Sequence, residues 1–215
     1  MRGRMPIAVF IFLTLMGCSS HPGSSLKTKG IAIQPMAFDD PPRLAFIQHA
    51  VSEFYHCPVS ILQPVEMPSS FINLTKGERY SADSILRWLS RRKSDSVSIL
   101  LGLTEKDIYI ANKDEQGKIK EPASKYAVWG ILGLGYQPGD ACVISDARFR
   151  NTDSGKYDHR LRAIVLHEIG HNIGLPHCTN VQCIMNDAKE HISTVDNGEN
   201  DLCQSCRDKL AQLTK

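Results

Sequence analysis

Residues 167–177 read His-Glu-Ile-Gly-His-Asn-Ile-Gly-Leu-Pro-His, and this string constrains the fold more than any other part of the chain. It closes a segment, Asp158 to Ile173, in which Leu161, Val165, Ile169 and Ile173 recur at helical spacing. At about 100° per residue these residues occupy one stripe roughly 120° wide, with His167 and His171 nearly opposite. A helix here buries one face and presents two stacked imidazoles on the other, while Glu168 projects about 80° to their side. Gly174 tolerates the left-handed conformation that ends a helix, and Pro176 opposes continuation. The turn this forces can carry His177 back to the same point. Three neutral imidazoles with a fourth position open are the ligand set of a catalytic zinc site. A neighbouring carboxylate such as Glu168 is suited to general-base work.

The extended string, followed by a methionine, resembles the metzincin signature. Met185 lies eight residues beyond His177, where a Met-turn would set its thioether beneath the metal; taken alone it reads as a core methionine. The cysteines narrow the resemblance. Cys178 follows His177 directly, Cys183 comes five residues later, and Cys203-Gln204-Ser205-Cys206 completes the set. From Gly174 to Cys206 this spacing resembles that of the archaemetzincins at every fixed position. The likeness is strongest over residues 158–206 and extends more weakly to Phe71-Ile72-Asn73 and Arg79-Tyr80.

The resemblance implies two zinc ions per chain. His167, His171 and His177 would hold a catalytic ion, and Cys178, Cys183, Cys203 and Cys206 a closed structural one. Four thiolates in two close pairs suit tetrahedral zinc with no open position. Leu210 and Leu213 suggest a final short helix opened by Cys203 and Cys206, whose three-residue offset puts both sulfurs on one side. In an oxidising compartment the same residues could instead close as Cys178–Cys183 and Cys203–Cys206 disulfides. Cys57 and Cys142 read either as small buried hydrophobes or as a further disulfide. His21, His49, His56, His159 and His191 have no partner spacing that points to a metal.

The chain begins Met1-Arg2-Gly3-Arg4, continues with an apolar run from Ile7 to Met16, and reaches Gly17-Cys18-Ser19-Ser20. Residues 1–17 read as an export signal, too short to span a bilayer, which needs about 20 apolar residues. Leu15-Met16-Gly17-Cys18 resembles a bacterial lipobox, with Cys18 as the lipid attachment. Ser19 after it favours an outer-membrane anchor facing the periplasm. Residues 18–30, rich in Ser, Gly and Lys, read as a flexible tether, leaving 31–215 as the folded domain. The formal charge of +2 belongs to the signal, since removing Arg2 and Arg4 leaves the chain formally neutral. That balance gives no reason to expect a nucleic-acid partner. The Arg91-Arg92-Lys93 cluster reads as a solvated helix end.

Ile31–Met36 and Val59–Val65 read as strands. Asp40 followed by Pro41-Pro42 reads as a helix start, with Leu44, Ile47, Val51 and Phe54 as its core stripe. Ser81 opens a second helix containing Ile85, Trp88 and Leu89. Four strand candidates follow: Val97–Leu103, Asp107–Ala111, Tyr126–Leu134 and Ala141–Ser145, with Asn112–Ser124 as a surface loop between the middle two. Early alternation and later clustering of strands predict an α/β (α+β) fold. By resemblance this is metzincin-like: a mixed, mostly parallel twisted sheet, packed helices, an active-site helix and a small C-terminal zinc-bound subdomain. An edge strand for an extended peptide would lie around Tyr126–Leu134. The function the resemblance implies is zinc-dependent hydrolysis of peptide or protein substrates by a monomer, with the aminopeptidase-like mode that some members of the family show. The competing expectation is a non-catalytic, zinc-stabilised envelope lipoprotein serving as a binding or assembly module.

Overall fold

A computed structural model describes residues 22–188 and 191–215. The export signal and the lipid site at Cys18 lie outside the described residues.

The chain runs α1 (Pro22–Lys29), β1 (Ile31–Pro35), α2 (Pro41–Tyr55), β2 (Val59–Ile61), β3 (Ile72–Asn73), β4 (Arg79–Ser81) and α3 (Ala82–Arg92). It continues with β5 (Ile99–Thr104), β6 (Ile108–Ile110), α4 (Ala123–Tyr126), β7 (Trp129–Ile131), β8 (Gly133–Gly135) and β9 (Ala141–Ser145). Last come α5 (Ser154–Ile173), α6 (Ile192–Asn197) and α7 (Gln204–Leu213). The main sheet has the order β2-β1-β5-β9-β8. Its first four strands are parallel, and β8 joins β9 antiparallel as an edge strand. A smaller sheet, β3-β4-β6-β7, stands beside it.

Alternate residues of the central strands feed two cores. Ile31, Ile33, Ile99, Leu101, Leu103, Cys142 and Ile144 face α2 and α5. Ala32, Leu100, Ala141 and Val143 face Ile85, Leu86 and Leu89 of α3. Burial on both faces is what a parallel sheet covered by crossover helices requires. The helices start where their capping residues lie: Asp40 accepts from the N–H of Arg43 at 3.0 Å and Ser81 from that of Ser84 at 3.3 Å.

Several expectations are corrected. The tether expected over 18–30 includes α1 from Pro22, and Leu26 is only 1% exposed. That leucine, the one large apolar residue of the segment, ties it to the core. The strand expected over Val59–Val65 keeps a regular ladder only to Ile61; beyond it the Leu62 and Val65 N–H groups still donate to the carbonyls of Ile33 and Pro35, at 2.8 and 3.1 Å, while Pro64 has no N–H to give. Tyr126–Leu134 is not one strand. Trp129–Ile131 belongs to the small sheet and Gly133–Gly135 to the large one, with a bend at Leu132. The helix expected from Asp158 begins at Ser154, because Asp153 accepts from the N–H of Lys156 at 3.1 Å.

Candidate active site

Helix α5 is the centre of the molecule. The stripe of Leu161, Val165, Ile169 and Ile173 is fully buried, but Leu166 and Asn172 are as well, and Ala163 and Ile164 are nearly so. The helix is covered on nearly all sides, and its His167, Glu168 and His171 line one cleft. Gly174 ends it with φ of 113°, its N–H donating to the carbonyls of Gly170 and His171. The chain then reverses and brings His177 back over the helix. The ring centroids of His171 and His177 are 4.7 Å apart, and those of His167 and His171 4.6 Å.

One ring nitrogen from each of these histidines lies within 4.8 Å of the others. Three nitrogens about 2.1 Å from a tetrahedral zinc would be about 3.4 Å apart, so the donor set and its spacing fit zinc after a small contraction. Nδ1 of His167 lies 2.7 Å from the carbonyl of Ile184, and Nδ1 of His171 lies 2.8 Å from that of Leu175. As donors to those carbonyls the Nδ1 atoms leave both Nε2 lone pairs for a metal. Burial, followed by the neighbouring His171, lowers His167 to about 4, and burial lowers His171 as well. Both rings are therefore neutral at physiological pH, the form that ligates. Nδ1 of His177 is 3.9 Å from Oδ2 of Asp187.

Glu168 is buried against the edge strand. A Cβ on Gly133 would stand 2.8 Å from its Oε1, and one on Gly135 would stand 2.8 Å from its backbone carbonyl. Only glycines let β8 lie this close to the helix. Burial raises the Glu168 carboxyl to about 8, against the opposing hydrogen bond from the Gly135 N–H. Asn172, also on α5, donates to the carbonyls of Tyr136 at 2.9 Å and Ala141 at 2.8 Å. It fixes the β8–β9 turn to the helix. Gly133, Gly135 and Asn172 were not singled out from the sequence. Two glycines flanking one leucine in a strand candidate are the only local sign of that close approach.

Met185 is fully buried against α5, where a Cβ on Gly170 would lie 2.5 Å from its sulfur. Its carbonyl accepts from the N–H of Cys178 at 2.8 Å. The sulfurs of Cys178, Cys183, Cys203 and Cys206 lie within 4.8 Å of one another, with Cys178 and Cys203 at 3.7 Å. Tetrahedral zinc with bonds of about 2.3 Å separates its sulfurs by about 3.8 Å. All four are free thiols rather than the two bridges an oxidising compartment allows, and Cys57 and Cys142 are free and buried too. The backbone N–H of Cys206 lowers Cys203 to about 7, whereas burial raises Cys183 and Cys206. Cys203 caps α7 as the sequence suggests. The cysteine cluster also bears on the histidines, because Ile184, whose carbonyl accepts from His167, lies between Cys183 and Met185.

A cleft of about 860 Å³ opens over these groups, lined by residues 129–135 and by Asp187, Ala188 and Glu199 among others. Helix α6, which no periodicity in the sequence announces, contributes Ile192, Thr194 and Val195 to that lining. It is held by Arg160, whose Nε and Nη2 donate to Asp196 at 2.5 and 2.7 Å. Among the described residues no helix is long and apolar enough to cross a membrane.

The model of peptidase family M54 matches residues 47–212. The archaemetzincin of Archaeoglobus fulgidus is 27% identical over 180 residues, covering 84% of this chain and 98% of its own. That of Haloquadratum walsbyi is 28% identical over 166 residues, covering 73% and 85%. The crystal structure of the A. fulgidus protein matches with a TM-score of 0.67 and 26% identity, over 83% of this chain and 98% of that one. The Methanopyrus kandleri archaemetzincin structure, at 24% identity and a TM-score of 0.68, shares the fold. The chain belongs to peptidase family M54, the archaemetzincins, and is a zinc-dependent metallopeptidase.

Proposed function

We propose that His167, His171 and His177 hold the catalytic zinc, that Glu168 is the general base, and that Cys178, Cys183, Cys203 and Cys206 hold a second, structural zinc. The observation that carries this reading is the buried Glu168 carboxyl, wedged between α5 and β8 beside a cluster of three imidazoles. Zinc held there would supply Lewis-acid polarisation of the scissile carbonyl and lower the pKa of a water molecule. Glu168 would accept a proton from the nucleophile and later deliver it to the leaving amine. The Gly135 N–H holds the carboxyl in place while it does so. Met185 supports the floor of the site through its contact with Gly170.

Asp187 and Glu199 line the cleft besides Glu168. They support an aminopeptidase-like mode, since carboxylates suit the ammonium of a substrate's first residue. Comparing peptides with free and acetylated N-termini tests it. For the whole reading the test is Glu168→Ala in zinc-loaded protein. Peptide cleavage is expected to fall by at least a hundredfold with two zinc ions per chain retained, and cleavage at the wild-type rate overturns the assignment. Export and lipid anchoring at Cys18 rest on residues 1–18, and a monomer at the outer membrane is part of the same proposal. Loss of fatty-acid labelling in Cys18→Ala is its test.

A further inference from the structure

From Trp129 to Gly135 the chain forms one wall of the cleft. The Ser145 N–H donates to the carbonyl of Leu132, and the Tyr136 N–H to that of Ala141. Residues 132, 134 and 136 therefore direct their backbone groups to β9, and Gly133 and Gly135 turn theirs outward. A peptide pairing with that edge does so most stably antiparallel. Its C-terminal half then runs towards Ile131 and Gly130. Gly130 lies three residues before Gly133, where Glu168 abuts the strand, and so at most about 11 Å from it.

At that end of the cleft stands Arg148. A Cβ on Gly130 would fall on its guanidinium, so the group lies flat against the strand in space that glycine leaves. Nε and Nη2 donate to the two oxygens of Asp107 at 2.6 and 2.7 Å. Asp107 is shared: Nε of Arg79 is 2.9 Å from its Oδ2. Two guanidinium groups on one carboxylate leave one positive charge uncompensated within the trio. Nη1 of Arg148 makes no hydrogen bond among the described residues, and the side chain is 32% exposed. Arg148 is the one Arg or Lys among the residues lining the cleft. A guanidinium fixed by one carboxylate, with donors left facing a cleft, is pre-organised to take a second carboxylate.

From this geometry we infer that Arg148 is a specificity-determining residue that selects a carboxylate on the C-terminal side of the scissile bond. The carboxylate is an Asp or Glu side chain, or a free C-terminus, in the first two or three residues past the cut. The inference rests on the peptidase reading. It adds which peptides the site prefers.

The test uses zinc-loaded protein and quenched-fluorescence peptides carrying Glu, Gln or Lys at each of three positions on either side of the cut. The wild type is expected to favour Glu over Gln on the C-terminal side by about tenfold in kcat/KM, as one charge-assisted hydrogen bond allows. The ratio is expected to fall towards one in Arg148→Gln and to keep part of its value in Arg148→Lys. Binding of the same peptides to Glu168→Gln protein, followed by calorimetry, separates two kinds of failure. Arg148-dependent selection in binding without turnover in the wild type counts against the proposed roles of Glu168 and the three histidines and leaves the carboxylate preference of Arg148 standing. Equal handling of Glu and Gln by the wild type, selection that survives Arg148→Gln, or an acid preference confined to the N-terminal side each overturns it.

Discussion

The carboxyl of Glu168 lies against Gly133 so closely that a Cβ there would stand 2.8 Å from Oε1 and 2.9 Å from Cγ. The first atom to yield to an added methyl is the end of a side chain, not backbone, so Gly133→Ala is expected to fold. What moves is the base. Displacing a catalytic group by about 1 Å can cost on the order of a hundredfold. We expect Gly133→Ala to lower kcat at least tenfold with unchanged zinc content, measured by steady-state kinetics beside metal analysis. An unchanged kcat would show that the wedge does not position the carboxyl.

The same burial makes a pH prediction for the metal-free protein. Glu168 titrates near 8 in the folded chain against an ordinary value of 4.5. A carboxyl raised on folding destabilises the fold as pH climbs from its unfolded value to its folded one, and the cost is complete above the latter. It reaches at most about 5 kcal/mol by the usual conversion of pKa shift to free energy. Glu168→Gln keeps an acceptor for the Gly135 N–H and removes the charge. Metal-free Glu168→Gln is expected to melt above the wild type at pH 8, with the gap closing by pH 4.5. The difference between the two proteins cancels the acid titration of His167 and His171. A gap independent of pH sinks the prediction.

How far such features were legible depends on whether their cause is local. The imidazole pair, the Gly174 stop and the return of His177 follow from spacing along one helix and its end. The caps at Asp40 and Ser81, and the opening of α7 at Cys203, are local too. The tightness of β8 against α5 is not, because Gly133 and Gly135 are dictated by the side chain and backbone carbonyl of Glu168, more than 30 residues away. Helix α6 was hidden for a similar reason. Its sequence, Ile-Ser-Thr-Val-Asp-Asn, has little periodicity, and Arg160 on α5 holds it through Asp196. The short strands of the small sheet carry too few residues for an alternating pattern.

The cysteine cluster predicts an order of reactivity. In metal-free protein Cys203 is lowered to about 7 by the N–H of Cys206, whereas burial raises Cys183 and Cys206. Thiolates alkylate and thiols do not. At pH 7.5, limiting iodoacetamide is expected to label Cys203 before those two, read by peptide mass mapping. Loading zinc should protect Cys178, Cys183, Cys203 and Cys206 together. Unprotected labelling of Cys203 in protein with two zinc ions bound would place the second ion elsewhere.

His177 differs from its two partners in what faces its second nitrogen. His167 and His171 meet the carbonyls of Ile184 and Leu175, which no side-chain substitution removes. Nδ1 of His177 meets a carboxylate, Oδ2 of Asp187, at 3.9 Å. His177 is also the most exposed of the three, its side chain 51% accessible, so its orientation leans more on that partner than on packing. A carboxylate behind a ligating imidazole raises its basicity, and removing one costs about 10- to 100-fold in metal affinity. Asp187→Asn is expected to weaken zinc at the histidines within that range and leave the cysteine-bound ion untouched. Competition with a chromogenic chelator resolves the two ions as separate steps. If only the weaker step shifts, Asp187 orients His177; if neither shifts, packing alone holds the ring.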